Sequence, residues 1–353
     1  MGGPPRDLGP GEPSPASAAA EGQRDSSMSD AFAAATGEPE VFESKREILS
    51  IEELREALEA LGERPGVRAI VRLLREQGLP RLERLFERLL ASRDVREIDE
   101  FGFEPAFLEP IEGLARWFHD HYFRVSCRGL EHVPSTGRAL IVANHSGTLP
   151  YDGAMVVTAV REQHPSHRRV RPLVEDFIYH LPYLGTLVTR MGAVRACQEN
   201  ALRLLEHDHA TLVFPEGVKG IGKLYKKRYR LQRFGRGGAV KLALKAGAPI
   251  IPCAIVGAEE SMPLLSKVSW LARPLGLPYI PVTPTLPLFG LLGLIPYPTK
   301  WTIDFAPPID VSAHGEADLN DRVLVNRLNE QVRAAIDGLI QRRLRERRSV
   351  FFG

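Results

Sequence analysis

From Arg46 onward, "SIEELREALEALGERPGVRAIVRLLREQGLPRLERLFERLLASRD" repeats apolar residues three and four positions apart, with charges between them. That spacing predicts amphipathic helices. Ser50 and Glu53 have the capping-box spacing for a helix that begins at Ile51. Pro65, Gly66, Gly78 and Pro80 divide the stretch into short pieces. A further helix is predicted over Pro105 to Phe123. The texture then changes. "RVSCRGLEHVP" reads as a short strand and turn, and "ALIVANH", "VRPLVEDFI", "ATLVFPEG", "PIIPCAIVG" and "KWTIDFAPPIDV" read as strands. "HLPYLGTLVTRMGAVRA" reads as a helix followed by a strand, and "YDGAMVVTAVREQ", "QENALRLLEHDH" and "GGAVKLALKAG" read as helices. Near-continuous apolar strands alternating with helices predict an α/β fold, with a largely parallel sheet flanked by helices on both faces. A last helix is predicted from Asp318 to Arg347. Leu319, Val323, Leu328, Val332, Ile336, Ile340 and Leu344 form its core-facing stripe, and it runs into the basic tail "QRRLRERRSVFF".

Four regions follow. Residues 1–44 are rich in Gly, Pro, Ala, Ser and Glu, cannot offset their ordering entropy by burial, and are expected to be a disordered tail. Residues 45–124 form an N-terminal amphipathic helical region, 125–312 the α/β domain, and 313–353 the C-terminal helix and basic tail. Arg68, Arg72, Arg75, Arg81, Arg84 and Arg88 give the N-terminal helices a basic face. Such a face suits either an anionic membrane or plain solvent.

Composition narrows this little. The 353 residues are 44% hydrophobic and 25% charged, as in ordinary globular proteins, with a net charge of +2. Cys127, Cys197 and Cys253 are odd in number and scattered, so neither a disulfide framework nor a zinc site is expected. The first residues lack the basic-then-apolar pattern of a secretory signal. No apolar run is long enough to span a membrane; "LPLFGLLGLIPYP" is short and broken by Pro and Gly.

Candidate chemistry gathers where predicted strands end, the usual place for functional groups in a parallel α/β sheet. In "ANHSGTLPYD", His145 leaves a strand and Asp152 stands near the next helix start, with a Gly/Pro turn between them. A carboxylate that holds one imidazole nitrogen as a donor frees the other to accept a proton. The plainer reading is a helix-capping Asp and a strand-end His. In "TLVFPEGVKG", Glu216, Gly217 and Lys219 follow an apolar strand. In "RMGAVRA", Arg195 is either a surface residue or a grip for phosphate.

Together these segments resemble the PlsC-like lysophospholipid/glycerolphosphate acyltransferase family. "NHSGTLPYD", "GAVR", "FPEG" and "IIPCAIVG" match its four motifs in order across about residues 125–310. The resemblance implies a glycerolphosphate acyltransferase-like fold and a fatty acyl transfer from acyl-CoA or acyl carrier protein to a hydroxyl of a lysophospholipid or glycerol phosphate. It also implies residue roles. His145 takes the hydroxyl proton, Asp152 orients His145, Arg195 and Lys219 hold a phosphate, and Glu216 and Gly217 shape the acceptor site. No cofactor or metal is implied. Two departures bear on the acceptor. Six residues separate His145 from Asp152 where the common spacing is four, and Lys219 stands where many members have Arg. Both leave open a neutral glycerolipid or another hydroxyl acceptor.

From Lys219 to Lys245 the chain has ten Lys or Arg and no Asp or Glu, with Tyr225, Tyr229 and Phe234 interleaved. Lys226, Lys227 and Arg228 at its centre are expected to meet an anionic membrane surface or CoA phosphates. No nucleic-acid module is present, so nucleic acid is not an expected partner. "SWLARPLGLPYIPVTPTLPLFGLLGLIPYPTKW", with Trp270, Tyr279, Tyr297 and Trp301, reads as a shallow membrane insertion or as a crossover covering the sheet. The expected protein is a peripheral acyltransferase on the cytoplasmic face of a membrane. A non-catalytic lipid-binding scaffold and a hydrolase using the same His/Asp pair are the alternatives.

Overall fold

The computed structural model describes Glu56 and residues 98–353, apart from 147–148, 182, 274–275, 287 and 290–292. The tail 1–44 and the amphipathic helices with their basic face lie outside the described residues.

Strand β2 (Ala139–Ala143) shows why the fold is layered. Every residue of it is buried. Leu140 and Val142 join the core on one face, and Ala139, Ile141 and Ala143 join the core on the other. This alternation is the period of a strand covered on both sides. Around it β1 (Ser126–Arg128), β3 (Val170–Val174), β4 (Val194–Arg195), β5 (Ala210–Val213), β6 (Ile250–Val256) and β9 (Thr302–Phe305) complete a seven-stranded sheet in the order β1-β9-β6-β2-β5-β3-β4. From β6 to β4 the neighbours run parallel, with Ala139 opposite Ala210, Leu140 opposite Ile250 and Val170 opposite Ala210. The predicted largely parallel sheet is therefore present. The β9–β6 pairing is antiparallel, so β9 and β1 run against the other five strands.

On one face lie α5 (Gln198–Glu206), α7 (Gly238–Ala246) and α10 (Arg322–Glu346), through Leu204, Leu205, Val240 and Leu244. On the other lies α2 (Tyr151–Gln163), through Met155, Val156, Ala159 and Val160, with Phe123 stacked on Trp301 at 4.3 Å. Pro105 opens α1 (Pro105–Trp117), a position where its missing N–H costs nothing. This helix ends before the expected Phe123 because residues Phe118–Tyr122 widen into a π-turn.

Two expectations for the last helix differ from the structure. Helix α10 begins at Arg322 rather than Asp318, because Asp321 caps it by accepting the N–H of Val323 and of Leu324 at 2.9 and 3.0 Å. Val323 is 79% exposed, off the core stripe, whereas Leu328, Val332, Ile336 and Ile340 are buried as expected. Each of those four stabilises by about 1.5–3 kcal/mol. The exposed Arg333–Glu330 pair on the same helix is worth about 0.3–0.5 kcal/mol, so packing decides where α10 sits. The C-terminal basic residues are also not all solvated: Arg343 pairs with Asp304 of β9 inside the protein, and Arg347 pairs with Glu260 at 2.7 Å.

The stretch 261–301 carries a second, two-stranded sheet, β7 (Ser266–Val268) against β8 (Ile280–Val282), which the sequence pattern did not predict. Of Trp270, Tyr279, Tyr297 and Trp301, Trp270 alone is exposed. Trp301 is buried and its indole N–H donates to Ser261 Oγ at 2.8 Å, Tyr279 is buried, and Tyr297 is half-buried. No helix among the described residues is long and apolar enough to cross a membrane.

Arg343→Met would leave the Asp304 carboxylate buried without its counter-charge. The free energy of unfolding is expected to fall by about 3–5 kcal/mol, measured by urea denaturation.

Candidate active site

Four parallel strands stand side by side in the order β6-β2-β5-β3. A polar side chain follows the end of each: Glu259 after β6, His145 after β2, Glu216 after β5 and Glu175 after β3. Asn144 ties the end of β2 to β6, its amide N–H donating to the Ile255 carbonyl at 3.0 Å and its oxygen accepting the Ile255 N–H at 2.8 Å. This pins the backbone one residue before the imidazole.

The turn after His145 folds back so that Asp152 enters the first turn of α2, fully buried. Asp152 Oδ2 lies 2.6 Å from His145 Nδ1 and accepts the Ser146 N–H at 2.8 Å. Oδ1 accepts the Gly153 N–H at 2.8 Å. A carboxylate with these partners fixes Nδ1 as the donor, which leaves Nε2 free to accept. The ring of Phe214 stacks on the imidazole at 4.2 Å and 19°. Glu216 Oε1 accepts the backbone N–H of His145 at 3.0 Å. Gly220 of α6 (Gly217–Ile221) packs so closely that an added Cβ would lie 2.7 Å from His145 Cβ and 2.8 Å from Glu216 Cβ. A small recess lined by Ser146, Tyr151, Ala258, Ser261, Met262 and Trp301 adjoins the turn that carries this pair, through the sequence neighbours of His145 and Asp152. An imidazole oriented through Nδ1 and shielded on one face by Phe214 presents Nε2 in the geometry needed to take a proton from a hydroxyl.

The Acyltransferase family model matches residues 124–256, the span that holds His145, Asp152, Arg195 and Glu216. An uncharacterized protein of Mycobacterium tuberculosis is 48% identical over 257 residues, covering 72% of each chain. An uncharacterized protein of Mycobacterium leprae is 49% identical over the same length, covering 72% of this chain and 70% of its own. The chain belongs to the acyltransferase family. The acyltransferase also matches a chloroplastic 1-acyl-sn-glycerol-3-phosphate acyltransferase of Arabidopsis thaliana, at 24% identity over 157 residues, 41% of this chain and 40% of that one. It is similar as well to the crystal structure of the 1-acyl-sn-glycerophosphate acyltransferase PlsC of Thermotoga maritima, with 18% identity, 84% and 96% of the two chains covered, and a TM-score of 0.46.

The other expected site residues of the acyltransferase are placed differently from one another. Gly217 opens α6 at φ +51°, where a side chain would be strained, and a Cβ there would lie 3.0 Å from Glu175 Oε1. Lys219 is exposed on α6. Glu216 points inward, its oxygens on the His145 and Gln232 N–H groups and near Lys223. Arg195, at the end of edge strand β4, donates from Nε and Nη2 to the two oxygens of Asp176, at 2.8 and 2.9 Å. That hydrogen-bonded pairing holds the guanidinium above its usual range. In the basic run, Lys226, Lys227 and Arg228 are exposed, but Lys223, Tyr229 and Phe234 are buried, so the run is not one continuous surface.

Sequence reasoning missed Asn144, Phe214, Glu175 and Asp176. The acidic pair in "VED" directly after an apolar strand was the available signal for the last two. Burial pushes the Glu175 carboxyl up to about 7, with His145 pulling it back and Asp176 adding to the rise. The folded protein thus holds this proton more tightly than the unfolded chain does. The resulting stability is full below the unfolded value near 4.5 and is lost as pH rises through about 7. Melting temperature followed from about pH 5 to about pH 8 is expected to fall less steeply in Glu175→Gln than in the unaltered protein.

Proposed function

We propose that this acyltransferase moves a fatty acyl group from the thioester of acyl-CoA or acyl carrier protein to a lipid hydroxyl, with His145 as general base and Asp152 as its orienting carboxylate. The observation that carries the reading is the 2.6 Å Nδ1–Asp152 bond, which leaves Nε2 as the accepting nitrogen. The hydroxyl proton passes to Nε2 as the alcohol oxygen bonds to the thioester carbonyl carbon. The tetrahedral intermediate collapses with loss of the thiolate, which takes the proton back from the imidazolium. An ester and a free thiol result, with no covalent acyl-enzyme.

The acceptor can be narrowed. A lysophospholipid or glycerol phosphate would draw on Arg195 and Lys219. Lys219 is exposed, but Arg195 is already committed to Asp176, whose side chain is 6% exposed. Freeing Arg195 would strand that carboxylate next to an incoming phosphate. Breaking such a pair costs about 3 kcal/mol, at the low end because Arg195 itself is half exposed. This favours the neutral glycerolipid acceptor over the phosphate-bearing one.

Labelled acyl-CoA offered with monoacylglycerol, diacylglycerol, lysophosphatidate and glycerol 3-phosphate tests both statements. Transfer to the neutral alcohols should exceed transfer to the phosphates, and His145→Ala should lower it by roughly 10²- to 10⁴-fold. Free fatty acid as the main product would make the protein a hydrolase. No turnover in a folded sample would make it a lipid-binding scaffold.

We further propose that the rim around Lys226 and Lys227 meets an anionic membrane surface from the cytoplasmic side. The Tyr225 N–H donates to the Leu264 carbonyl, which places this turn beside exposed Leu265 and the β7–β8 hairpin. Trp270, Leu288 and Phe289 are exposed in the same segment of chain. Each basic group near such a surface is worth about 1 kcal/mol. Lys226→Glu with Lys227→Glu should therefore weaken sedimentation with anionic vesicles by about tenfold or more at low salt, with a smaller loss at high salt.

A further inference from the structure

One lysine of the basic run is not at the surface. Lys223 follows α6 with its side chain 3% exposed, and Nζ lies 3.3 Å from Glu216 Oε2 and 3.0 Å from Glu259 Oε1. Glu259 belongs to α8 (Ala258–Ser261), which follows β6. Glu216 and Glu259 are enclosed too, with side chains 0% and 5% exposed. Each carboxylate also holds backbone. Glu216 accepts the N–H of His145 at 3.0 Å and of Gln232 at 2.7 Å, and Glu259 accepts the N–H of Tyr229 at 3.1 Å. Lys223 takes no part in the proton transfer described above.

Enclosing an ammonium and two carboxylates costs several kcal/mol per ion before their attraction returns it, and well-packed apolar residues often do as well or better. Stability alone is therefore a weak reason for this cluster. Its position is more informative: it braces the one carboxylate that grips the backbone of the base. We propose that Lys223 is a positioning residue for acyl transfer, which balances the Glu216 carboxylate so that it can hold the His145 N–H and keep the imidazole stacked on Phe214 with Nε2 free to accept a proton. The kinetic part of this inference rests on the acyl-transfer reading; the structural part does not.

Burial pulls the Lys223 ammonium down, but Glu216 and Glu259 beside it outweigh this and hold it above its usual range. Burial raises the Glu259 carboxyl, with Lys223 pulling it back. The charged and titratable groups facing this cluster are His145 and Asp152 from the β2–α2 turn and Glu175 from β3, which approaches Gly217. On the other side stand Tyr229, whose hydroxyl donates to Glu260 at 2.7 Å, and Arg228 and Arg347, which both face Glu260. Removing the ammonium from between two enclosed carboxylates favours uptake of a proton there.

Lys223→Met and Lys223→Met/Glu259→Gln are the test, read as kcat and KM against pH, backbone hydrogen exchange over residues 140–146, and thermal melting. In Lys223→Met, kcat is expected to fall by about 10²-fold at neutral pH with KM little changed. The acid limb of kcat should move up by about one pH unit or more, and exchange over 140–146 should quicken. In the double variant one carboxylate competing for a proton is gone, so the acid limb should move part of the way back. Unchanged kcat, acid limb and exchange in folded Lys223→Met would overturn the proposal. A lower kcat with an unmoved acid limb that Glu259→Gln does not ease would also overturn it, since that pattern means packing alone. If Lys223→Met does not fold, the double variant decides by the same readouts against the unaltered protein. If the unaltered protein transfers no acyl group, the functional reading fails, and hydrogen exchange at 140–146 alone decides the role of Lys223.

Discussion

The short hydrogen bond between His145 and Asp152 is the constraint around which the site is built. A fully buried carboxylate must find donors on every side, because no water is there to supply them. Asp152 takes the His145 ring N–H and the backbone N–H groups of Ser146 and Gly153. The same bonds bend the turn between β2 and α2, set where α2 begins and choose the imidazole tautomer. The local fold and the proton-accepting geometry are satisfied together, which ties chemical competence at this site to correct folding of the turn.

The sheet order does the rest of the gathering. Because β5 inserts between β2 and β3, and β6 lies on the other side of β2, four strand ends bring side chains from distant parts of the chain to one rim. The rim is rich in carboxylates, and several have a dedicated cation. Arg195 faces Asp176, Lys223 lies between Glu216 and Glu259, and Arg347 faces Glu260. Charge is thereby sorted into two groups. The paired cations hold the structure, while Lys219, Lys226 and Lys227 face outward, where salt screens them and an anionic surface can reach them. This sorting underlies both the proposed preference for an uncharged acceptor and the proposed membrane-facing rim.

The C-terminal segment belongs to the same architecture. Arg343 anchors α10 to the antiparallel strand β9, and Arg347 reaches Glu260, whose other oxygen neighbours are Tyr229 and Arg228. From there the Tyr229 N–H leads to Glu259, and Glu259 to Lys223, Glu216 and the backbone of His145. Residues that read along the chain as a basic tail are thus part of a polar chain that ends at the candidate base.

Much was legible from residue order alone. Apolar runs alternating with amphipathic ones specified a covered, largely parallel sheet, and the polar residues after "ALIVA" and "TLVF" marked His145, Asp152 and Glu216. These features are local: period, strand ends and turn residues are written in short stretches. The partner of each charge was not legible. Arg195 and Lys223 look like any surface cation in sequence, and Asp176 and Glu259 like any surface acid. Their pairing, and the burial of Lys223, Asp176 and Glu259, depend on strands that are neighbours in space and far apart in the chain. The reversed direction of β9 and the inward turn of Trp301 escaped for the same reason. Electrostatic and packing energies depend on distance and solvent access, and both exist only once the chain has folded.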